Sequence, residues 1–203
     1  MSLQYLSERL ESLHKYAVRY HGLEPLSENL LEHTKEQKHI RAGYISEPLF
    51  RYMRHFLKSS ASLTDREKRR LECLTIIAFR TGLRIGELLK LRISDIEPGD
   101  EMWLYVRNTQ LDDSKSNNAS RKIPLTVLLT DEEFTIVRDY YFFRSHLRTK
   151  SFAALMFPSE AGELIPLSEG DVRSPIQAAL NACSKQQWTV HHFRHTAISR
   201  LQL

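Results

Sequence analysis

The chain has 203 residues, 41% of them hydrophobic and 27% charged, which is enough for one sizeable core and a small appendage. It contains no apolar run long enough to span a membrane, and its first residues lack the basic-then-apolar pattern of a signal peptide. The net charge of +4 permits phosphate binding, although many proteins with no nucleic-acid partner have a similar charge.

The N-terminal part of the chain is predicted to be helical and separate from the rest. Residues 2–21 have the pattern of an amphipathic helix. Residues from about 27 to 39 have the pattern of a strongly charged, solvated helix. Residues 37–43 are predicted to be an interdomain linker, although they could also contact a nucleic-acid backbone. We therefore divide the chain into residues 1–42 and a larger domain over residues 43–203.

The larger domain begins with two predicted helices. The first covers residues 46–58, and the second begins at Thr64, which is followed by Glu67 at the spacing of a capping box. Each helix is expected to bury one apolar stripe. The stripes are Leu49, Tyr52, Met53 and Phe56 in the first helix, and Leu71, Leu74, Thr75, Ala78 and Phe79 in the second.

One small hairpin is predicted among the remaining helices. Residues 102–106 are rich in aromatic and β-branched types, and residues 121–125 form a second short strand that ends near its proline. The polar segment between them includes Lys115. Three further helices are predicted, at residues 130–147, at residues 172–182 and from His191 or His192 onward. The predicted fold class is therefore α+β, mainly α, with a small antiparallel β-sheet.

The two cysteines, Cys73 and Cys183, both lie in helical patterns. We expect two free thiols rather than a disulfide, which fits the reducing environment of the cytoplasm. No Cys-x-x-Cys is present to suggest a structural zinc site.

The first candidate site lies at the turn after the second helix of this domain. Gly82 is placed to end that helix in a left-handed conformation, and a short helix is predicted to begin near Arg84. Arg84 would then lie in the turn between two packed helices, at a helix N-terminus that favours anions. Glu87 is three residues further on and could hold the Arg84 guanidinium in position. An arginine beside a helix-ending glycine can also be an ordinary solvated residue.

The second candidate site lies at the start of the last helix. Phe193, Ala197 and Leu201 are spaced to bury one face, while His191 and Arg194 project together from another. This pairs a proton carrier that works near neutral pH with a permanent cation, which suits a phosphodiester.

Three other interpretations of this segment are possible. His191 and His195 are four residues apart, as in zinc-binding helices, but the glutamate of His-Glu-x-x-His is absent and the sequence offers no evident third ligand. The basic residues could also form a solvated helix start. A serine hydrolase is disfavoured because the chain has no Gly-x-Ser-x-Gly.

Three short motifs in order provide a more specific signal. They are Thr81-Gly82-Leu83-Arg84 with Glu87-Leu88, then Lys115 ahead of Arg121-Lys122-Ile123-Pro124-Leu125, and then His191-x-x-Arg194-His195-Thr196. Together they resemble the ordered motifs of the tyrosine recombinases, the phage integrase family. The resemblance covers roughly residues 43–203 and implies a catalytic domain of that type. Residues 1–40 are similar, more weakly, to the final helices of the core-binding domain that precedes it.

The resemblance implies roles for the candidate residues. Arg84 and Arg194 would be the two catalytic arginines, Lys115 the hairpin lysine and His191 the histidine of the His-x-x-Arg motif. Glu87 matches the acidic residue that supports the first arginine.

The reaction that the resemblance implies is site-specific cutting and rejoining of double-stranded DNA through a 3′-phosphotyrosyl intermediate. Neither a metal nor a nucleotide cofactor is required, because the bond energy is kept in the covalent intermediate. The partners implied are DNA and further copies of the protein, from a dimer to a tetramer, with no membrane and a cytoplasmic location.

The sequence departs from the family at the nucleophile. The family's tyrosine follows the His-x-x-Arg motif, whereas all eight tyrosines of this chain precede His191. We therefore expect a C-terminally incomplete catalytic domain that binds DNA without cutting it. A catalytically inactive DNA-binding or architectural protein is the main alternative, and a helical domain unrelated to DNA is a third. His192 also stands where the family often has aspartate.

Overall fold

The computed structural model describes residues 3–24, 43–107, 120–147, 153–184 and 187–201. The chain forms two units, Met1–Arg41 and Ala42–Leu203, which are considered separately. In the first unit, the predicted N-terminal helix is confirmed as α1, Leu3–His21. The predicted helix at 27–39 lies outside the described residues, as does the linker apart from its last residue.

The second unit contains seven α-helices and one short 3₁₀ helix, Ile93–Asp95, among its described residues. The α-helices are α2 (Glu47–Ser59), α3 (Asp65–Thr81), α4 (Ile85–Leu89), α5 (Leu125–Leu128), α6 (Asp131–His146), α7 (Glu169–Cys183) and α8 (His191–Leu201). The predicted capping box is confirmed at Thr64, whose hydroxyl accepts a hydrogen bond from the Glu67 amide. A second capping box is present at Thr130, whose hydroxyl accepts a hydrogen bond from the Glu133 amide. These caps satisfy amides that would otherwise have no partner in the first turn.

Two small antiparallel sheets accompany the helices. The strands are β1 (Ile96–Glu97), β2 (Trp103–Val106) and β3 (Arg121–Pro124) in one sheet, and β4 (Pro158–Ser159) and β5 (Gly162–Pro166) in the other. The predicted hairpin is confirmed as β2 and β3, with Leu104 opposite Ile123 and Val106 opposite Arg121. The two-residue strands β1 and β4 were not predicted, because so short a segment has no periodicity to detect.

Helix α3 is the centre of the core. Every residue from Leu71 to Phe79 is buried, so the single stripe expected from the sequence is too narrow. The reason is that α3 packs against α2, α6 and α8 on different sides. Phe79 stacks on Phe50 of α2 with ring centroids 3.8 Å apart, and Phe193 of α8 meets both rings edge-on.

The buried face of α2 differs from the prediction. Phe50, Met53, Arg54 and Leu57 are buried, whereas Tyr52 and Phe56 of the predicted stripe are 68% and 42% exposed. The predicted stripe did not include Arg54. Arg54 faces inward because its guanidinium hydrogen-bonds the carboxylates of Glu72 and Glu132, each at 2.9 Å.

Gly82 ends α3 in the left-handed conformation predicted for it, with φ +65°. A Cβ at this position would lie only 3.0 Å from the Cβ of Ala197 and 3.7 Å from the carbonyl oxygen of Arg194. Helix α8 can therefore approach the turn this closely only because residue 82 has no side chain.

A second contact joins α8 to the start of the domain. The amide of Ile45 donates to the hydroxyl of Thr196 at 3.0 Å, and both residues are fully buried. Cys73 is buried, Cys183 is partly exposed, and both are free thiols as predicted. Among the helices described, none is both long enough and apolar enough to cross a membrane.

We predict that Gly82→Ala lowers the free energy of unfolding by about 1–3 kcal/mol, because alanine is strained in this conformation and its Cβ would crowd Ala197. The matched control is Gly86→Ala in α4, where a Cβ would meet nothing within 4 Å. The control should be neutral or slightly stabilising. Urea unfolding of both variants tests this, and equal effects would contradict it.

Candidate active site

Arg84 lies where the sequence predicts, as the N-cap of α4. Its amide donates to Glu87 Oε2 at 2.8 Å. Its guanidinium is held more loosely, since Nη1 is 3.5 Å from Glu87 Oε1 and the side chain is 54% exposed. Glu87 therefore fixes the backbone of Arg84 firmly while leaving most of the guanidinium accessible.

Arg121, the first residue of β3, is the main ion-pair partner of Glu87. Its Nη2 lies 2.9 Å from Glu87 Oε2 and its Nη1 3.3 Å from Oε1. Partial burial tends to raise the pKa of the Glu87 carboxyl, but hydrogen bonds from Arg121 and from the Arg84 amide outweigh it and lower the pKa. The sequence contained Arg121 within a motif but provided no indication of this contact, which depends on how β3 packs beside α4.

Arg194 projects from α8 towards the same turn. Its Nη1 donates to the carbonyl oxygen of Gly82 at 2.6 Å, across 112 positions of sequence. Burial, followed by the neighbouring cations Arg84 and Arg121, lowers the pKa of Arg194, while Glu87 opposes this effect.

His191 lies one helical turn before Arg194, at the start of α8. Its ring meets that of His195 edge-to-face, with centroids 4.6 Å apart. Burial lowers the pKa of the His191 imidazole, and electrostatic interactions with His195, Arg194, His192 and Arg173 lower it further. The ring is therefore favoured in its neutral form near pH 7, in which it can accept a proton.

These side chains meet around one cleft of about 370 Å³. It is lined by Arg84, His191 and Arg194, by Arg173 and Gln177 of α7, and by apolar residues that include Leu83, Ile85 and Val190. The structure thus brings together three of the predicted site residues. Sequence analysis missed Arg173, which forms an i,i+4 ion pair with Glu169 and has no feature that distinguishes it from a solvated surface arginine.

The remaining sequence-based candidates have different outcomes. Lys115 lies outside the described residues. His192, which replaces the family's frequent aspartate, accepts a hydrogen bond at Nδ1 from the Thr189 amide at 3.0 Å and so caps the start of α8. Within the described part of the chain no three His, Cys, Asp or Glu side chains are grouped to hold a metal.

The Phage integrase family is the family whose sequence model matches this chain, over residues 50–202. The chain belongs to the phage integrase family. This match confirms the family resemblance, and no curated protein sequence matches the chain. The predicted division at residue 42 and the predicted roles of the site residues stay predictions.

Solved structures with the same fold include three recombinases. XerH site-specific recombinase bound to difH substrate, in a pre-cleavage complex, has 15% identity and a TM-score of 0.57, with 78% of this chain and 42% of that chain covered. A lambda integrase dimer bound to a COC′ core site has 17% identity and a TM-score of 0.61, with 96% of this chain and 64% of that chain covered. The Tn1549 transposon integrase in complex with circular intermediate DNA has 16% identity and a TM-score of 0.65, with 98% of this chain and 65% of that chain covered.

These likenesses confirm the predicted fold class, a mainly helical tyrosine-recombinase-type catalytic domain with a small antiparallel sheet. At such low identity they concern the fold alone. This integrase-family chain spans less than two thirds of the length of each of these three proteins.

None of the described tyrosine side chains lines the cleft of this integrase-family chain. Tyr44 accepts a hydrogen bond from Arg200 Nε at 3.0 Å, and Tyr105 donates to Glu97. Tyr140 is buried among core residues, and this burial raises the pKa of its phenol well above the usual range.

We predict that His191 titrates below the ordinary imidazole pKa of about 6.5 in the folded protein. Inorganic phosphate bound in the cleft should raise the pKa of His191, because an anion favours the protonated ring. Arg173→Ala should also raise it by removing a cation. Histidine-resolved NMR titration measures all three effects.

The matched control is Arg138→Ala, which removes an arginine of α6 that pairs with Asp139 and does not line the cleft. It should leave the titration of His191 unchanged. A pKa at or above the ordinary value in the unmodified protein would contradict the electrostatic description of the cleft.

Proposed function

We propose that this chain binds double-stranded DNA and forms the phosphate-binding part of a site-specific recombinase. The reaction would cut and rejoin DNA strands through a 3′-phosphotyrosyl intermediate. The observation that supports this most directly is the shared cleft, in which Arg84, His191 and Arg194 meet although they come from two distant segments of sequence.

The two guanidiniums would bind the nonbridging oxygens of one phosphodiester. When a tyrosine oxygen attacks the phosphorus, negative charge accumulates on these oxygens in the pentacoordinate transition state. Forked donors that are already in place stabilise that charge at little cost in reorganisation. The Arg194 guanidinium is oriented by the carbonyl oxygen of Gly82, and Glu87 fixes the backbone that carries Arg84. One guanidinium and the attachment point of the other would therefore be in place before DNA binds.

Lys115 and His191 would take part in the proton transfers of this reaction. As the bond from tyrosine to phosphorus forms, the bond from phosphorus to the 5′ oxygen breaks, and Lys115 would protonate that oxygen. A neutral His191 would assist the transfer of the tyrosine proton. The attack of the 5′ hydroxyl of another strand on the phosphotyrosyl bond reverses these steps and rejoins the DNA.

A catalytically inactive DNA-binding or architectural role is the second candidate. It is favoured by the absence of any described tyrosine side chain from the cleft lining. In that case Arg84 and Arg194 would anchor DNA through its phosphates without any chemical step.

Self-association on DNA, from a dimer to a tetramer, is part of the proposal. The lambda integrase structure is a dimer on a core site, which supports this assembly for a chain of the same fold. Since the proposed substrate is the DNA of the cell, we also propose a cytoplasmic location.

We predict that the chain binds duplex DNA and that affinity falls steeply with salt, because counterions are released from the phosphates. Arg84→Ala and Arg194→Ala should each weaken binding by about tenfold and reduce the salt slope by about one. Fluorescence anisotropy across a salt series measures both quantities. Arg138→Ala is the charge-matched control and should change affinity by less than about twofold.

A domain unrelated to DNA would show no binding at moderate salt and no difference among the three variants. Circular dichroism and urea unfolding of each variant separate a loss of contact from a loss of fold.

We predict that incubation of this chain with a suicide duplex produces no covalent protein–DNA adduct, because no described tyrosine side chain lines the cleft. Adduct formation, seen as a band that survives denaturing electrophoresis, would contradict this prediction.

A second experiment separates the recombinase from the architectural role. Hydrogen peroxide is added as a small nucleophile to a duplex with a 5′-bridging phosphorothiolate, whose 5′ thiolate is a better leaving group than the 5′ oxygen. Cleavage that depends on Arg84 and Arg194 supports the recombinase, whereas tight binding without cleavage supports the architectural role.

A further inference from the structure

Several cations lie at the turn before α4. Among the described residues, the carboxylate of Glu87 is the one negative group in contact with Arg84. Its Oε2 accepts the Arg84 amide at 2.8 Å and Arg121 Nη2 at 2.9 Å. Its Oε1 is 3.3 Å from Arg121 Nη1 and 3.5 Å from Arg84 Nη1. The closer contact with a guanidinium is therefore with Arg121, through a two-donor fork.

We propose that Arg121 is a positioning residue for Arg84: by binding Glu87 with both ends of its guanidinium, it leaves the donors of Arg84 available for a phosphate. This inference rests on the proposed function, in which Arg84 binds a DNA phosphate. It gives Arg121 a role in the site that acts through Glu87 rather than through direct contact with DNA.

The physical argument concerns competition for Arg84. A half-buried carboxylate needs a cation, because removing one partner of such a pair leaves a poorly solvated charge. Without Arg121, Glu87 would keep its contact with the guanidinium of Arg84, already 3.5 Å away. Arg84 would then turn towards Glu87 and offer fewer donors to the cleft, and the uncompensated negative charge would repel a phosphate.

The placement of Arg121 in the fold supports the same role. It is the first residue of β3, held by pairing with Val106 of β2, so its backbone is fixed by the sheet. Its side chain is 33% exposed, less than that of Arg84 at 54%. The more buried arginine thus contacts the carboxylate, and the more exposed one lines the cleft.

Lys122 provides a matched control on the same strand. It pairs with Glu97 at 3.3 Å and lies over the ring of Trp103 at 4.4 Å, away from Glu87. Lys122→Met therefore removes the same charge as Arg121→Met from a neighbouring position, without touching the contacts of Arg84.

A double-mutant cycle on DNA affinity tests the proposal. Arg121→Met should weaken duplex binding by about tenfold. Glu87→Gln alone should change it by less than about threefold, because the glutamine oxygen can still accept a hydrogen bond from the Arg84 amide and Arg121 already balances the charge that is removed. In the double variant, Glu87→Gln should restore most of the lost affinity, since a neutral amide no longer attracts Arg84. If Arg121 instead contacts DNA directly, the double variant stays as weak as the sum of the two changes predicts, and the proposal is overturned.

A second measurement does not depend on DNA. NMR titration of the Glu87 carboxyl should give a pKa below the ordinary glutamate range, raised by Arg121→Met and unchanged by Lys122→Met. Arg121→Lys keeps the charge but loses the fork, so it should give an intermediate affinity and an intermediate carboxyl pKa; this variant decides the matter if Arg121→Met fails to fold. A carboxyl pKa that Arg121→Met and Arg121→Lys leave unchanged also overturns the proposal.

A failure of the proposed function can be distinguished from a failure of the positioning role proposed for Arg121. If the unmodified chain binds no duplex DNA, the proposed function fails and the positioning role fails with it, even where the carboxyl titration shows the ion pair. If the unmodified chain binds DNA and the cycle is additive, only the role of Arg121 is overturned.

Discussion

The close contact between α8 and the turn at Gly82 is the constraint on which the site depends. Gly82 has no side chain, and its left-handed backbone lets Ala197 approach to the limit of van der Waals contact. At that distance the guanidinium of Arg194 reaches the carbonyl oxygen of Gly82, two residues before Arg84. The separation of the two arginines is therefore set by packed backbone, which varies much less than the conformation of long side chains.

Bringing several cations to one turn has an electrostatic cost that the fold offsets only in part. Arg84, Arg121 and Arg194 surround a single described carboxylate, that of Glu87. Burial, and after it the repulsion from neighbouring cations, lowers the pKa of both Arg194 and His191. A bound phosphodiester would relieve this repulsion, so the charge arrangement that disfavours the empty cleft favours an anion within it.

The elements behind the cleft are joined by buried charges as well as by the apolar core. Arg80 of α3 lies between Glu47 and Glu133, with its Nε 2.8 Å from Glu133, and so connects α2, α3 and α6. The hydrogen bond from Ile45 to Thr196 fastens α8 to the first residues of the same domain. Such contacts need matched partners in defined positions, since an unpaired buried charge or amide is costly. They restrict how α8, and with it Arg194, can sit against α3.

The sequence by itself determined the features that depend on residues within a few positions of one another. The capping box at Thr64 and the left-handed turn at Gly82 follow from local hydrogen bonds and backbone sterics, so the helix boundaries and the place of Arg84 could be predicted. Only the tertiary structure decided which face of α2 is buried, because Arg54 turns inward to carboxylates of other helices. It also decided that Arg121 contacts Glu87 and that Arg173 lines the cleft. Burial and charge pairing depend on which segments pack together, and no local pattern in a single sequence specifies that.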